Sequence, residues 1–300
     1  MEKQQASRWI EIEKSALIHN YHEVKKFVGE KVKILAVVKG NAYGLGMIPC
    51  ARLFQEQGAD MLGVTTFEEG IALREAGITA PILVFGPVLQ DQLGLAARYD
   101  LTVSITSFQA IERVIKGMEN LALEARGAIE PIKVHLKIET GMGRFGIWPG
   151  EAVTAAKAIE FHPGLKLEGV YTHFATAQKS KGAYFNKQWA LFQEALQELS
   201  AAGFDQLIRH CANSAAVINY PPCHLDMVRC GTLLYGQNPQ VDQGKKLDLQ
   251  DPWRFYARVL EVRELPKGHG IGYGAAYQTK KAARIAVLPA GFVDGVNMEP

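Results

Sequence analysis

The chain has 300 residues, is 48% hydrophobic and carries a net charge of only +2, which suits a large domain, alone or with a small one, built around a sizeable core. No Lys/Arg block is long enough for a nucleic-acid groove, no apolar run approaches the ~20 residues of a membrane span, and Met1–Trp9 lacks the apolar h-region of a signal peptide. Four cysteines (Cys50, Cys211, Cys223, Cys230) form no C-x-x-C pair, so a reduced, cytoplasmic setting is expected.

Strands are predicted over Val32–Val38, Met61–Thr65, Ile82–Phe85, Leu101–Thr106, Lys133–Glu139, Leu167–His173, Leu207–Cys211 and Met227–Leu234. They are short and rich in Val, Ile and Leu, as strands buried on both faces must be. Between them lie helix-period segments such as Phe67–Ala76 and Tyr184–Ala202, with Gly and Pro at the joints. This alternation predicts an α/β fold, a (β/α)8 TIM barrel over residues 10–239 rather than an open doubly wound sheet. The polar stretch Gln240–Gln250 reads as a linker. Beyond it, Phe255–Val262, Gly272-Tyr273-Gly274 and Arg284–Leu288, with no long helix, read as the beginning of a C-terminal all-β domain over residues 250–300. By Pro300 that domain has too few strands to close a core.

Chemistry in such a barrel gathers on the loops at the C-terminal strand ends. Those ends carry Lys39 after the first strand, Lys137, Glu139 and Gly141–Arg144 around the fifth, and His173 on the sixth. The seventh leads into Asn213-Ser214, and the eighth gives Arg229, Gly231 and Thr232. Singly, each has a plain reading: a solvated lysine, a satisfied histidine, a helix cap, an arginine paired with a structural carboxylate. Together they share one face of the barrel. Lys39 closes the apolar run Ile34–Val38, where desolvation favours the neutral amine that Schiff-base chemistry needs. The Ser214 hydroxyl and the backbone N–H groups near Gly231 and Thr232 fall where barrels place phosphate sites. A lysine facing a phosphate cup points to pyridoxal phosphate. Gly141-Met142-Gly143-Arg144-Phe145-Gly146 satisfies G-x-G-x-x-G, but after the fifth strand, whereas a dinucleotide fold carries that motif at its first. The histidines show no metal-ligand spacing, so no metal is expected.

Several segments in order resemble the alanine racemase family: Ala36-Val37-Val38-Lys39-Gly40-Asn41-Ala42-Tyr43-Gly44, His135–Arg144, Glu168–Thr176, His210–Ala216, Met227-Val228-Arg229 and Gly272-Tyr273-Gly274. The resemblance implies a barrel followed by a β domain, and a head-to-tail homodimer with the active site shared between subunits. It implies interconversion of L- and D-alanine, supplying D-alanine for peptidoglycan, with no nucleic-acid or membrane partner. Lys39 would hold the cofactor and act as the base on the D-side, and Tyr273, delivered by the partner, as the base on the L-side. Tyr43, Asn213, Ser214, Gly231 and Thr232 would bind the cofactor around its phosphate. Arg144 would face its phenolic oxygen and the substrate, and His173 would lie against the ring and help orient Arg229. A guanidinium keeps its proton, so a pyridine nitrogen against Arg229 stays largely unprotonated and the ring is a weaker electron sink, which favours racemisation over transamination.

Lys137 matches a lysine that many members carboxylate. Glu139 stands where the family usually has Asp, Phe292 replaces a usual tyrosine, and the chain ends where members continue; reduced turnover is expected of it for that reason. The alternatives are a racemase acting on serine, a barrel decarboxylase with the same cofactor, and a non-catalytic cofactor carrier or inactive fragment. The Gly-Tyr-Gly segment and the β domain argue against the decarboxylase and, for a complete protein, against the carrier.

Overall fold

β1 (Arg8–Ile12) precedes eight further strands that alternate with helices in a computed structural model describing residues 5–89, 92–124, 130–178, 182–239 and 247–296. These eight are β2 (Lys33–Val37), β3 (Met61–Val64), β4 (Ile82–Pro87), β5 (Leu101–Ile105), β6 (Ile132–Lys137), β7 (Leu165–Tyr171), β8 (Ile208–His210) and β9 (Met227–Cys230). They lie in the order β8-β7-β6-β5-β4-β3-β2-β9, with every neighbouring pair parallel. Across the seam, Asp226 N–H donates to Arg209 O at 3.1 Å and Arg229 N–H to Ala212 O at 2.9 Å. The sheet is a nearly closed barrel, as the strand–helix alternation predicts. β9 stops at Cys230 rather than Leu234, because the chain then coils back in turns, with Leu234 N–H donating to Gly231 O at 2.9 Å.

The barrel strands are buried on both faces. Leu35, Val37, Met61, Leu83 and Met227 form one apolar cluster, with Phe85 and Ile208 against it; burying each such side chain contributes about 1.5–3 kcal/mol. Among the described residues no helix is long and apolar enough to cross a membrane.

Residues 14–252 make one compact unit; the N-terminal strand and the chain from Trp253 onward make another. Most of the expected linker, 240–246, lies outside the described residues. Gln250 belongs to the barrel unit: its N–H donates to Asn20 Oδ1 at 2.7 Å, and Asn20 Nδ2 donates to Gln250 O at 2.8 Å.

In the second unit β1 pairs antiparallel with β10 (Trp253–Ala257), β11 (Glu261–Leu265) with β14 (Ala283–Val287), and β12 (Gly270–Ile271) with β13 (Tyr277–Gln278). The expected single strand Phe255–Val262 is therefore two. Arg258 N–H still donates to Ser7 O at 2.9 Å, whereas Leu260 N–H donates to Val287 O at 2.9 Å, so the chain changes partner strand between them. β1 was not expected at all. Its partner lies at the far end of the sequence, beyond the reach of local periodicity.

Candidate active site

At the C-terminal ends of the barrel strands lies a cavity of about 290 Å³, near the lower end for small-molecule sites. Lys39, Tyr43, Lys137, Arg144, His173, Asn213, Ser214, Arg229, Gly231 and Thr232 all line it. Tyr273 belongs to the other unit, on a single 3-10 turn (Tyr273–Ala275), and is fully exposed.

Lys39 begins an unusual turn. Gly40, Asn41, Ala42, Tyr43 and Gly44 all have φ between 53° and 94°, the left-handed region. For the three non-glycine residues this costs about 1–2 kcal/mol each, least for asparagine. Specific bonds hold the turn: Ala42 N–H donates to Val38 O at 2.8 Å, Gly46 N–H to Asn41 O at 2.9 Å and Met47 N–H to Asn41 Oδ1 at 2.9 Å. Gly40 N–H donates to Glu69 Oε1 at 2.6 Å, while Oε2 of the same carboxylate accepts from Thr65 at 2.7 Å and Thr66 at 3.2 Å. Glu69 thereby ties the Lys39 turn to the next strand's loop. Thr66-Phe67-Glu68-Glu69 is a capping box, a signal present in the sequence although Glu69 had no assigned part. Burial lowers the Lys39 ammonium, Arg144 lowers it further, and Glu69 opposes them.

Lys137 is buried, with Nζ 4.0 Å from the centre of the Phe145 ring. Desolvation first, then Arg144, Arg229 and Lys39, brings its pKa down to about 7 against the pull of Glu139. The Glu139 carboxylate does not fold over the lysine. It accepts N–H bonds from Gly141, from Met142 at 2.6 Å and from Gly143 at 3.0 Å. This accounts for the glycines of the G-x-G-x-x-G match: Gly141 and Gly143 have positive φ as the loop wraps the carboxylate, and a Cβ at Gly146 would stand 2.6 Å from Glu139 N.

Arg229 is buried yet meets no carboxylate within ion-pair distance among the described residues, contrary to the plain reading of a structural pair. Nη1 donates to His210 O at 2.9 Å and to His210 Nδ1 at 3.1 Å; Nη2 donates to Thr172 O at 2.7 Å, Cys211 O at 3.2 Å and His173 Nδ1 at 3.3 Å. Burial and the surrounding cations, Arg229 foremost, hold His173 well below the usual histidine range, so it is neutral at pH 7. His210 is a site residue that the motifs contained without revealing its part.

Ser214 Oγ, also in the cavity wall, accepts from Gly231 N–H at 3.1 Å. A Cβ at Gly231 would collide with the Tyr43 hydroxyl, so only glycine lets that hydroxyl approach. Asn213 is also a helix cap, its Oδ1 accepting from Ala216 N–H at 3.1 Å while Nδ2 donates to Phe174 O at 3.1 Å. Among the described residues the cavity is lined by two lysines (Lys39, Lys137), two arginines (Arg144, Arg229) and no carboxylate.

Eight parallel strands with reactive side chains at their C-terminal ends define a (β/α)8-barrel enzyme. Residues 12–239 match the family model of the alanine racemase N-terminal domain, and residues 253–299 that of the C-terminal domain. An alanine racemase of Halothermothrix orenii is 40% identical over 287 residues, 96% of this chain and 74% of the relative. The solved alanine racemase of Clostridium difficile 630 superposes with a TM-score of 0.89 at 32% identity, over 98% of this chain and 75% of that one. That of Bacillus anthracis, solved with bound L-Ala-P, gives 0.85 at 37% identity over 96% and 74%. The chain belongs to the alanine racemase family and is an amino-acid racemase.

Proposed function

We propose that the cavity binds pyridoxal phosphate, and that the chain interconverts L- and D-alanine with two bases, Lys39 and Tyr273 of the partner subunit. In this reading it is a cytoplasmic homodimer with shared active sites, supplying D-alanine for peptidoglycan. The Bacillus anthracis relative with bound L-Ala-P supports alanine as the substrate. The carrying observation is the donor set: a cavity whose charged lining consists of Lys39, Lys137, Arg144 and Arg229, and which also holds the hydroxyl and N–H cradle of Tyr43, Ser214 and Gly231. An anionic phosphate ester offsets that charge and uses that cradle, so the residues present fit the group.

Lys39 would hold the cofactor covalently, and Tyr43, Asn213, Ser214, Gly231 and Thr232 would bind it around the phosphate. Arg144 would take the phenolic oxygen and the substrate carboxylate, His173 would lie against the ring, and Arg229 would meet the pyridine nitrogen. The cofactor, when bound, supplies an electron-withdrawing ring conjugated to the substrate's α-carbon.

From L to D, the side-chain oxygen of Tyr273 of the partner subunit would take the α-proton, and Lys39 Nζ, a free amine once the substrate's own amine has taken its place on the cofactor, would give one to the opposite face. The reverse reaction exchanges these roles. Burial and Arg144 lower Lys39, which brings it toward the range where one amine can both take and give a proton. Arg229 donates and keeps its own proton. Lys137, with a pKa near 7, is neutral often enough for its nitrogen to form a bond to CO2. It then releases a proton to water, and the resulting carbamate places a negative charge beside Arg144.

Borohydride reduction of the protein with pyridoxal phosphate, followed by peptide mapping, tests the anchor. The label should fall on Lys39; a label on another lysine overturns the assignment.

A further inference from the structure

Behind Arg229 runs a buried row of side chains that the proposed chemistry does not use. Arg229 Nη1 donates to His210 Nδ1 at 3.1 Å, and His210 Nε2 lies 2.8 Å from His135 Nδ1. His135 Nε2 lies 3.6 Å from Glu168 Oε2 and has no hydrogen-bond partner. Both imidazoles are fully buried, whereas the Glu168 side chain is 24% exposed. The room is built for this: a Cβ at Gly169 would stand 2.7 Å from His135 Cε1.

Elementary bookkeeping of donors fixes every proton in the row. A guanidinium only donates, so His210 Nδ1 is bare and its proton sits on Nε2. That N–H must donate to His135 Nδ1, which places the His135 proton on Nε2, facing the carboxylate. Burial keeps both imidazoles neutral, since desolvation is the largest influence on each and Arg229 adds to it.

We propose that His210, His135 and Glu168 are positioning residues for Arg229, a proton-ordered row that runs outward to Glu168 and reverses when its outer end takes up a proton. The proposal rests on the place given to Arg229 in the cofactor site, although the ordering itself is a property of these four side chains. On acidification one proton enters from water: the His210 Nε2 proton crosses the 2.8 Å contact to His135 Nδ1, and the entering proton ends on Nδ1 of His210, which stays neutral. His135 then carries N–H at both nitrogens and forms an ion pair with Glu168. Its Nδ1 now donates, so His210 must accept at Nε2 and carry its own proton on Nδ1. That N–H meets the Arg229 N–H head on, and the bond between them is lost.

The charged and titratable groups around the row come from several strands. Glu168 on β7 favours the proton on His135, and Lys133 on β6 and Lys166 on β7 lie beside Glu168. Arg229 on β9 opposes protonation. Tyr171 on β7 stacks on His210 with ring centres 4.8 Å apart.

The test is 15N NMR of the histidine-labelled chain with pyridoxal phosphate present, because bare and protonated ring nitrogens give separate signals. At neutral pH His210 and His135 should each be bare at Nδ1. On acidification the His210 proton should move to Nδ1 as His135 gains its second proton, and the acid limb of racemase activity should follow. Glu168→Gln, at a partly exposed position, should fold and shift that midpoint acid by about one pH unit, the low end for an opposite charge at this distance. A proton on His210 Nδ1 at neutral pH, or a midpoint unmoved in Glu168→Gln, overturns the proposal; so does a chain that unfolds before the row reverses. Correct ordering in a chain that binds no pyridoxal phosphate would instead sink the cofactor reading alone.

Discussion

Gly231→Ala probes the cradle at its tightest point. The new methyl would collide with the Tyr43 hydroxyl and stand 3.1 Å from Tyr43 Cζ. The Tyr43 ring is 45% exposed and packs on Tyr235 at 5.0 Å, so it can swing outward. Stability should then fall by less than the roughly 1–3 kcal/mol of an overpacked core. What is lost is a hydroxyl aimed at the phosphate. A hydrogen bond to a charged group contributes about 1.5–3 kcal/mol, so cofactor affinity should drop roughly 10- to 150-fold. Tyr43→Phe should lose a similar amount, and the double variant no more than either single, because both remove the same bond. Equilibrium titration with pyridoxal phosphate, read by absorbance, measures all three. Unchanged affinity in Gly231→Ala, or additive losses in the double variant, would refute the placement of the phosphate here.

Lys137 gives a pH dependence of defined sign. Its folded pKa of about 7 lies below the usual 10.5, so between these values the unfolded chain binds more protons and stability rises with pH. In CO2-free buffer the urea midpoint should climb across that window in the parent and climb less in Lys137→Met; parallel profiles would show that Lys137 is not desolvated. With 13C-bicarbonate, a carbamate signal on Lys137 should grow as pH rises through about 7, and its absence would remove the carbamate from the mechanism. Mixing inactive Lys39→Ala and Tyr273→Phe proteins under subunit exchange should restore part of the activity; no recovery despite heterodimer formation would argue against a shared site.

The barrel was legible because strands buried on both faces must be runs such as Ile34–Val38, and the cavity was legible because barrel chemistry gathers at one end. What escaped depended on distant partners or on backbone conformation. β1 pairs with β10 across nearly the whole sequence. The break at Arg258–Leu260 is a change of partner inside an apolar run. Gly40 and Asn41 tolerate a left-handed turn, but nothing in Ala42 or Tyr43 announces one. Glu139 stood out only as a departure from the family's usual Asp, and its bonds to the following loop required coordinates. His135 and His210 stood inside quoted motifs, yet polar residues on doubly buried strands must find partners within the barrel; that rule alone pointed toward them.

The most direct measurement is loss of the α-proton of L- and D-alanine in D2O, followed by NMR, for the cofactor-loaded protein and its Tyr273→Phe variant. The protein should exchange the α-proton of both enantiomers and interconvert them, while Tyr273→Phe should lose exchange of L-alanine far more than that of D-alanine. A protein that binds pyridoxal phosphate but exchanges neither would be a carrier, and equal loss for both enantiomers would contradict two bases on opposite faces.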